Sequence, residues 1–389
     1  MDPSFPEMPE WGWRPWPDSE EYSYFFVRVL ATAQGGAATI SECISASKNI
    51  VPGDGESWFR AWNQLAETNR ARADRAFERR SLQAATSNWL RASNYYRTSG
   101  LFLAAEDERR RAAILDMRKC ARLYLENSVP KSEVLQIPFG KNTMEAYYLR
   151  ANGIARQPVV VCVGSTDDFK EDLLCSIPRI ASESGYSVLL VDVIGAGTGI
   201  RDTNAIESIV EVEDVISHWI DYLWDRSDVD GSRLAIYGIG LGGAYATQCA
   251  ARDRRIAAAV CDGGLWDYRE RMFVERRLKK VDDTFIDSWL TARLLLAGPL
   301  PTIGCPYLVT IGAQDRLAVR DALSLLDVAR SAQLAAHLKV FAPEETGSFP
   351  DHVDNPTLVH EYVFDWLRGA MRPTRPRDVR VDGQSNEIY

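Results

Sequence analysis

The spacing of apolar residues divides the chain into two parts. In residues 57–77, 81–98 and 101–127, apolar side chains recur every three or four positions, with charged residues between them. This period predicts amphipathic helices that pack on a common core. We therefore predict an N-terminal helical cap domain over residues 1–130. Its aromatic residues, Trp58 and Tyr95 among them, either fill the core of the helices or line a ligand pocket beneath the cap.

After residue 130 the pattern changes to short, nearly continuous apolar runs. These runs occupy residues 134–139, 144–150, 159–163, 187–193, 233–237, 256–261, 307–311 and 337–341. Helical periods lie between the later runs, and the strands themselves are apolar on both faces, as in a buried parallel sheet. An opening hairpin followed by six strand–helix repeats predicts an α/β fold with an eight-stranded, mostly parallel sheet. This domain would cover residues 131–375 and leave residues 376–389 as a tail.

A glycine-rich loop follows the fifth predicted strand. The order of strand, loop and helix fits the nucleophile elbow G-x-S-x-G, in which a serine occupies a tight turn. Gly238 and Gly242 occupy the two flanking positions, but the nucleophile position is Gly240. A glycine carries no hydroxyl, so serine-dependent catalysis is not available to this chain as written.

The same loop also satisfies the dinucleotide fingerprint G-x-G-x-x-G through Gly238, Gly240 and Gly243. Asp262 follows about 20 positions later, where a ribose-binding carboxylate would stand. However, at least two strand–helix units precede this loop, whereas the fingerprint usually opens a nucleotide-binding domain. A nicotinamide-dependent oxidoreductase remains an alternative on this evidence.

The chain has four histidines, and His352 alone lies in a predicted loop between the last strand and the last helix. That is the position of the histidine in the chain order nucleophile, acid, histidine. Asp315, which follows the seventh strand, is the preferred partner acid, and Asp262, which follows the sixth, is the second candidate. If Asp315 is the acid, Asp262 would shape the pocket.

An oxyanion hole requires backbone donors directed at the developing negative charge. We expect one from Leu241, at the start of the helix after the elbow. The second would come from Ser165 or Thr166 in the loop after the third strand.

Composition narrows the class of protein further. The formal charge of −9 over 389 residues argues against a nucleic-acid or anionic-membrane surface. No apolar run approaches the roughly 20 residues of a membrane span. The first residues lack the basic and apolar pattern of a signal peptide. The seven cysteines show no C-x-x-C spacing, so reduced thiols and a cytoplasmic location are expected. We find no metal-ligand motif and predict no cofactor.

From about residue 20 onward the chain resembles the α/β-hydrolases that carry an N-terminal helical domain. That group includes FrsA-like esterases, fungal polyketide-shortening pigment hydrolases and 2,6-dihydroxypseudooxynicotine hydrolase. The residues that carry the resemblance are 164–171, 192–197, 238–243, Asp315 and His352. The resemblance implies a cofactor-free enzyme of secondary metabolism that cleaves carbon–carbon or ester bonds beside a carbonyl. It also implies a homodimer and a pocket between the helical domain and the sheet. For that pocket we expect Asp262, Trp266, Trp58 and Tyr95 as lining residues.

Three functions follow as hypotheses. The favoured one is an enzyme that hydrolyses, eliminates or cyclises a small polyketide-like or diketone-like carbonyl compound, with His352 and Asp315 as general base. The second is a disabled hydrolase that binds its substrate without turning it over. The third is the nicotinamide-dependent oxidoreductase.

Overall fold

The computed structural model describes residues 15–104, 106–139, 142–153, 156–165, 168–192, 212–263 and 302–371. Within this part of the chain, five helices precede the first strand. They are α1 (Glu20–Ala31), α2 (Ile40–Ser47), α3 (Gly55–Glu78), α4 (Leu82–Ser99) and α5 (Glu108–Asn127). Side chains of Thr39, Asp54 and Asp107 accept backbone N–H groups at the starts of α2, α3 and α5. These caps satisfy donors that the first helical turn cannot satisfy itself.

The eight predicted strands form one sheet, which confirms the predicted fold class. The strands are β1 (Glu133–Phe139), β2 (Asn142–Leu149), β3 (Gln157–Val163), β4 (Ser187–Val191), β5 (Val229–Gly240), β6 (Ile256–Gly263), β7 (Tyr307–Gly312) and β8 (Ala336–Phe341). Their order across the sheet is β1-β2-β4-β3-β5-β6-β7-β8. β2 pairs antiparallel with both β1 and β4, and every other pairing is parallel. The carboxyl ends of β3, β5, β6 and β7 therefore meet at one edge, where ligands bind in open α/β sheets.

Helices cover both faces of this sheet. They are α6 (Lys170–Leu174), α7 (Ile177–Glu183), α8 (Val212–Trp224), α9 (Leu241–Arg252), α10 (Arg316–Ser331) and α11 (Pro356–Ala370). All seven residues of β3 are buried, as are all five of β4, because each strand has apolar neighbours above and below. This double burial explains why the runs in the sequence are apolar without alternation.

The helical segment between β3 and β4 is divided in two, since α6 ends at Leu174 and α7 begins at Ile177. Pro178 lies in the first turn of α7, where its missing N–H costs nothing, whereas a continuous helix would place its ring against the preceding turn. The helix after the elbow begins at Leu241. In the described part of the chain, no helix has the length and apolarity needed to cross a membrane.

Candidate active site

The turn between β5 and α9 has the backbone of a nucleophile elbow. β5 ends at Gly240 and α9 begins at the next residue. Gly240 has φ 58° and ψ −135°, a conformation that side chains rarely adopt and that glycine adopts without strain. The loop is therefore shaped as the sequence motif predicts, with glycine at the position where a hydrolase would present its serine.

The other glycines of the loop are explained by packing. A Cβ on Gly238 would lie 1.9 Å from the carbonyl oxygen of Gly242. One on Gly242 would lie 2.3 Å from the oxygen of Val163 on β3, and one on Gly243 would lie 2.5 Å from the sulfur of Cys261. The close approach of β3, β5, β6 and α9 thus accounts for all three residues, with no nucleotide required.

We expect Gly238→Ala to lower the free energy of unfolding by about 1–3 kcal/mol, because its Cβ meets backbone that cannot move aside. Gly369→Ala is the control, since a Cβ there meets nothing within 4 Å and the residue lies inside α11. Urea denaturation of both variants measures the difference. Equal stability of the two variants would contradict the close packing of the elbow.

His352 is buried in the loop between β8 and α11. Both it and Asp351 have positive φ, 52° and 54°, in the left-handed region that residues with a side chain rarely adopt. The Nδ1–H group donates to the carbonyl oxygen of Gly347. Nε2 lies 2.9 Å from Oδ1 of Asp262, but a hydrogen on Nε2 in the protonated ring would not point along that line. Nδ1 therefore fixes the ring, while the hydrogen-bonding capacity of Nε2 is unused within the described residues.

The structure places the second candidate acid, Asp262, beside His352, with Oδ1 at 2.9 Å from Nε2. The role of Asp315 as the acid stays a prediction. Asp315 lies in the turn after β7, where its backbone N–H donates to the Gly312 oxygen. The neighbouring Gln314 binds Ser348 through both its backbone and its side chain, at 2.9 and 3.0 Å. The turn after β7 is thus tied to the beginning of the histidine loop, and the ring itself lies over the end of β6.

Two hydroxyl groups hold the Asp262 carboxylate from the neighbouring strands. Thr310 on β7 donates to Oδ1 at 2.8 Å, and Tyr237 on β5 donates to Oδ2 at 3.0 Å. The Tyr237 oxygen also lies 2.9 Å from Nδ1 of His360, on α11. Thr310, Tyr237 and His352 are partners of the two Asp262 oxygens. This carboxylate therefore needs no ribose hydroxyl as a hydrogen-bond partner.

The charges of this pair stabilise each other. Burial is the largest single influence on Asp262 and opposes its ionisation, but the charge and hydrogen bond of His352 together with the Thr310 hydrogen bond outweigh it, so the pKa of Asp262 is lowered. Burial likewise disfavours protonated His352, yet the carboxylate of Asp262 and the Gly347 carbonyl raise its pKa above 6.5. Burial dominates at His360, whose pKa falls to about 4, so this second imidazole is neutral at neutral pH. The site therefore contains one titrating histidine and one neutral histidine.

A cavity of about 240 Å³ lies between these residues and the helices of the N-terminal part. Gly240, Asp262, His352 and His360 line it from the sheet side. Tyr24, Arg28, Asn94 and Arg97 line it from α1 and α4. The expected pocket between helices and sheet is therefore present, and Asp262 lies in its wall.

The two aromatic residues expected in the pocket lie elsewhere. Trp58 and Tyr95 are fully buried in the core of the helical part. The Trp58 Nε1–H donates to the Thr98 carbonyl at 2.8 Å, and the Tyr95 hydroxyl donates to Glu42 at 3.0 Å. With their polar atoms satisfied internally, both side chains stabilise the helices and do not reach the cavity. Trp266 lies outside the described residues.

The expected oxyanion donors are only partly in place. Leu241 begins α9, so its N–H is among the first four, which have no intrahelical acceptor. Ser165 lines the cavity, but its N–H donates to Oδ2 of Asp168 at 3.1 Å. Thr166 lies outside the described residues. In the loop after β3, the Ser165 N–H is therefore bound by a carboxylate of the protein itself, that of Asp168.

Sequence reasoning missed Tyr237, Thr310, His360 and Arg28. A faint signal existed for two of them, because Tyr237 and Thr310 carry hydroxyl groups within otherwise apolar strands. His360 had none, since a histidine inside an amphipathic helix is unremarkable. Arg28 is distant in sequence from every motif.

Comparisons with known proteins agree with this architecture. Residues 48–297 match a protein family described as "Esterase FrsA-like". The chain is 31% identical over 265 residues to hydrolyase poxO of Penicillium oxalicum, an alignment covering 64% of this chain and 62% of that protein. It is 30% identical over 409 residues to hydrolase LUC6 of a Fusarium species, covering 89% and 95%. It is 31% identical over 288 residues to 20-hydroxy-prefusarin hydrolase FUS2 of Gibberella moniliformis, covering 70% and 66%.

Solved structures share the fold at lower identity. The 2,6-dihydroxy-pseudo-oxynicotine hydrolase superposes with a TM-score of 0.71 at 20% identity, covering 88% of this chain and 95% of that one. AbyA5 superposes with a TM-score of 0.63 at 16% identity, covering 90% and 95%. At these identities the two structures establish the architecture and not the reaction.

Proposed function

Because the chain belongs to the FrsA-like esterase family and is an enzyme of the α/β-hydrolase fold, we propose that it acts on a small carbonyl compound without a serine nucleophile. In this proposal, His352 and Asp262 supply acid–base catalysis, and Asp262 takes the role first expected of Asp315. One observation carries the proposal. The imidazole of His352 and the carboxylate of Asp262 lie 2.9 Å apart in the wall of the cavity that Gly240 also lines.

The contacts of the ring favour Nε2 as the reacting atom. A carbonyl oxygen accepts but never donates, so Nδ1 keeps its proton and neutral His352 is basic at Nε2. When Nε2 takes a proton, the Asp262 carboxylate stabilises the resulting imidazolium. This arrangement differs from a hydrolytic triad, in which the carboxylate binds Nδ1–H, because here the Gly347 carbonyl takes that place and Asp262 lies beside Nε2.

Water replaces the serine in the proposed hydrolysis. Nε2 removes a proton from water, whose oxygen attacks a substrate carbonyl while the Leu241 N–H faces the developing oxyanion. The bond from the carbonyl carbon to its leaving carbon or oxygen then breaks, and its electron pair stays with the leaving group. The imidazolium returns the proton to that group, which yields a carboxylic acid and a ketone or alcohol. Glycine at position 240 leaves room for the water beside the turn.

The relatives support a small organic substrate. Two of them are named for the hydrolysis of 20-hydroxy-prefusarin and of 2,6-dihydroxy-pseudo-oxynicotine. A cavity of about 240 Å³ with an apolar majority around a few charged groups suits such a ligand. We therefore assign a diketone-like or polyketide-like carbonyl compound as the substrate class. The homodimer and the cytoplasmic location stay predictions.

The pH dependence of turnover tests the proposal. Wild-type protein is assayed against a panel of 1,3-diketones and aryl esters, with a chelator present. The pKa of His352 is raised above 6.5. The neutral, basic form of its imidazole therefore accumulates only at pH values above this raised pKa. The rate should therefore rise with pH and level off above this raised pKa. A rate that falls over the same range would contradict a basic role for His352.

Nucleotide titration separates the oxidoreductase alternative. If NADH bound tightly and a carbonyl compound of the same panel were reduced, the hydrolase proposal would be wrong. The disabled-hydrolase alternative is supported by Gly240 itself. The Gly240→Ser substitution described in the Discussion distinguishes it from the favoured function.

A further inference from the structure

The cavity wall contains a cation that the proposed reaction has not used. Arg28, on α1, pairs through its guanidinium with Oδ1 of Asp168, in the loop after β3. The carboxylate is nearly buried, with 9% of its side chain exposed, whereas the arginine keeps 37% exposed and lines the cavity. A guanidinium has five N–H donors. Asp168 therefore orients the guanidinium group but uses only part of its N–H donors.

The Asp168 carboxylate also accepts a hydrogen bond from the Ser165 N–H, the backbone donor that a hydrolase would direct at its substrate. Oδ2 of Asp168 accepts the Ser165 N–H at 3.1 Å. A backbone N–H has a single hydrogen, so the Ser165 N–H that binds Asp168 has none left for a substrate oxygen. Two guanidinium groups line the cavity, but Arg97 pairs with Asp172 and keeps only 8% of its side chain exposed, against 37% for Arg28. The Arg28 guanidinium is therefore the more accessible positive charge for an oxygen with developing negative charge.

A second contact fixes α1 relative to the histidine loop. The Tyr24 hydroxyl donates to Oδ2 of Asp351 at 2.6 Å, next to His352. Tyr24 also packs with Phe349 and Val353. Because Tyr24 and Arg28 are four residues apart, they project from one face of the helix. The contact that anchors Tyr24 thus also fixes the position of Arg28 relative to the imidazole.

We propose that Arg28 binds the substrate oxygen on which negative charge develops, in place of the Ser165 N–H, and that it selects substrates able to form an enolate. This inference rests on the proposed function, since it concerns the same cavity. It adds a side chain of the helical part of the chain to the Leu241 N–H as a partner for substrate oxygen. The ligand class is a 1,3-dicarbonyl compound, whose enolate oxygen a guanidinium recognises by charge and hydrogen bonding.

Ligand ionisation tests this assignment without any turnover. 1-Phenylbutane-1,3-dione is titrated into each protein, and its enolate is followed by ultraviolet absorbance. We expect Arg28→Gln to weaken enolate binding about ten- to a hundredfold, the usual effect of losing a charge-assisted hydrogen bond. Arg28→Lys should retain part of the affinity, and added guanidinium ion should restore part of it to Arg28→Ala. Arg70→Gln, which removes an ion pair with Asp116 between α3 and α5, should bind as wild type.

Two controls distinguish a role of Arg28 in ligand binding from a purely structural role. Tyr24→Phe loosens the anchor of α1 but keeps the guanidinium, so it should weaken enolate binding less than Arg28→Gln does. Equal losses in the two variants, or wild-type binding by Arg28→Gln, would overturn the assignment. If Arg28→Gln does not fold, Arg28→Lys and guanidinium rescue of Arg28→Ala carry the test.

Failure of the reaction and failure of this assignment are distinguishable. Arg28-dependent enolate binding by a protein that turns over no panel compound would refute the catalytic proposal and support the role of Arg28. Turnover that persists in Arg28→Gln with unchanged KM and kcat would refute the role of Arg28 and leave the catalytic proposal standing.

Discussion

Asp262→Asn should lower kcat/KM for the carbonyl substrate by about four powers of ten, the scale seen when a histidine loses its carboxylate partner. The amide cannot stabilise the imidazolium that forms when Nε2 takes a proton. It also presents an NH₂ group where Thr310 and Tyr237 both donate to the carboxylate. One of those hydroxyl groups would face a donor, which disturbs the ring position further.

Asp315→Asn is the matched control for this substitution, because it makes the same chemical change at the end of the neighbouring strand. We expect it to alter kcat/KM only a few-fold. Proton NMR titration of His352 gives an independent measurement. Its pKa should fall below 6.5 in Asp262→Asn, where burial then dominates, and stay raised in Asp315→Asn. A larger effect on rate and pKa from Asp315→Asn would restore Asp315 as the acid.

The same pair contributes stability that depends on pH. The raised pKa of His352 means that its contribution is complete below pH 6.5 and is lost as the pH rises through the folded-state value. The lowered pKa of Asp262 means that its contribution is present above its ordinary value of 3.8 and is lost as the pH falls through the folded-state value. The pair therefore stabilises the fold most between about pH 4 and 6.5. His360 acts in the opposite sense to His352, because its contribution is lost as the pH falls from 6.5 to about 4.

Gly240→Ser should raise aryl-ester hydrolysis by about a thousandfold or more and make the protein react with a fluorophosphonate at residue 240, since triad residues act as a unit. The turn already has the backbone of an elbow, the helix after it begins at Leu241, and His352 lies in the same cavity wall. Positive φ at a non-glycine residue costs about 1–3 kcal/mol. The variant should therefore melt at a lower temperature while it gains activity.

Gly240→Ala isolates the hydroxyl, because it carries the same Cβ and the same backbone strain. It should melt like the serine variant and show no labelling. A folded Gly240→Ser protein that is not labelled would refute the elbow interpretation. Ester hydrolysis in Gly240→Ser, together with a wild-type protein inert toward the whole panel, would identify the chain as a disabled hydrolase.

The sequence was sufficient for the fold because burial on both faces leaves a direct mark on composition. β3 and β4 are nearly continuous apolar runs in the sequence. Positions 238 and 242 require glycine because a Cβ at either would lie less than 3 Å from backbone atoms. His352 could be found by elimination, since the other three histidines fell within predicted helices or strands. These features depend on local pattern and chain order, which a single sequence contains.

The partner acid and the cavity wall could not be predicted in the same way. Asp262 and Asp315 follow adjacent strands, and the choice between them depends on the path of the histidine loop. Arg28 pairs with a carboxylate 140 positions away, a contact without any local pattern. Trp58 and Tyr95 were misplaced because aromatic residues suit a core and a pocket equally well. In each case a long-range contact decided the outcome.

The position of α1 has a consequence for how such an enzyme changes its selectivity. One face of this helix touches the ligand space through Tyr24 and Arg28, yet the helix belongs to no part of the sheet. Exchanging a few side chains along that face alters the shape and polarity presented to an incoming molecule, while the imidazole and its carboxylate keep their own supports. Recognition and bond cleavage can therefore diverge separately within one polypeptide.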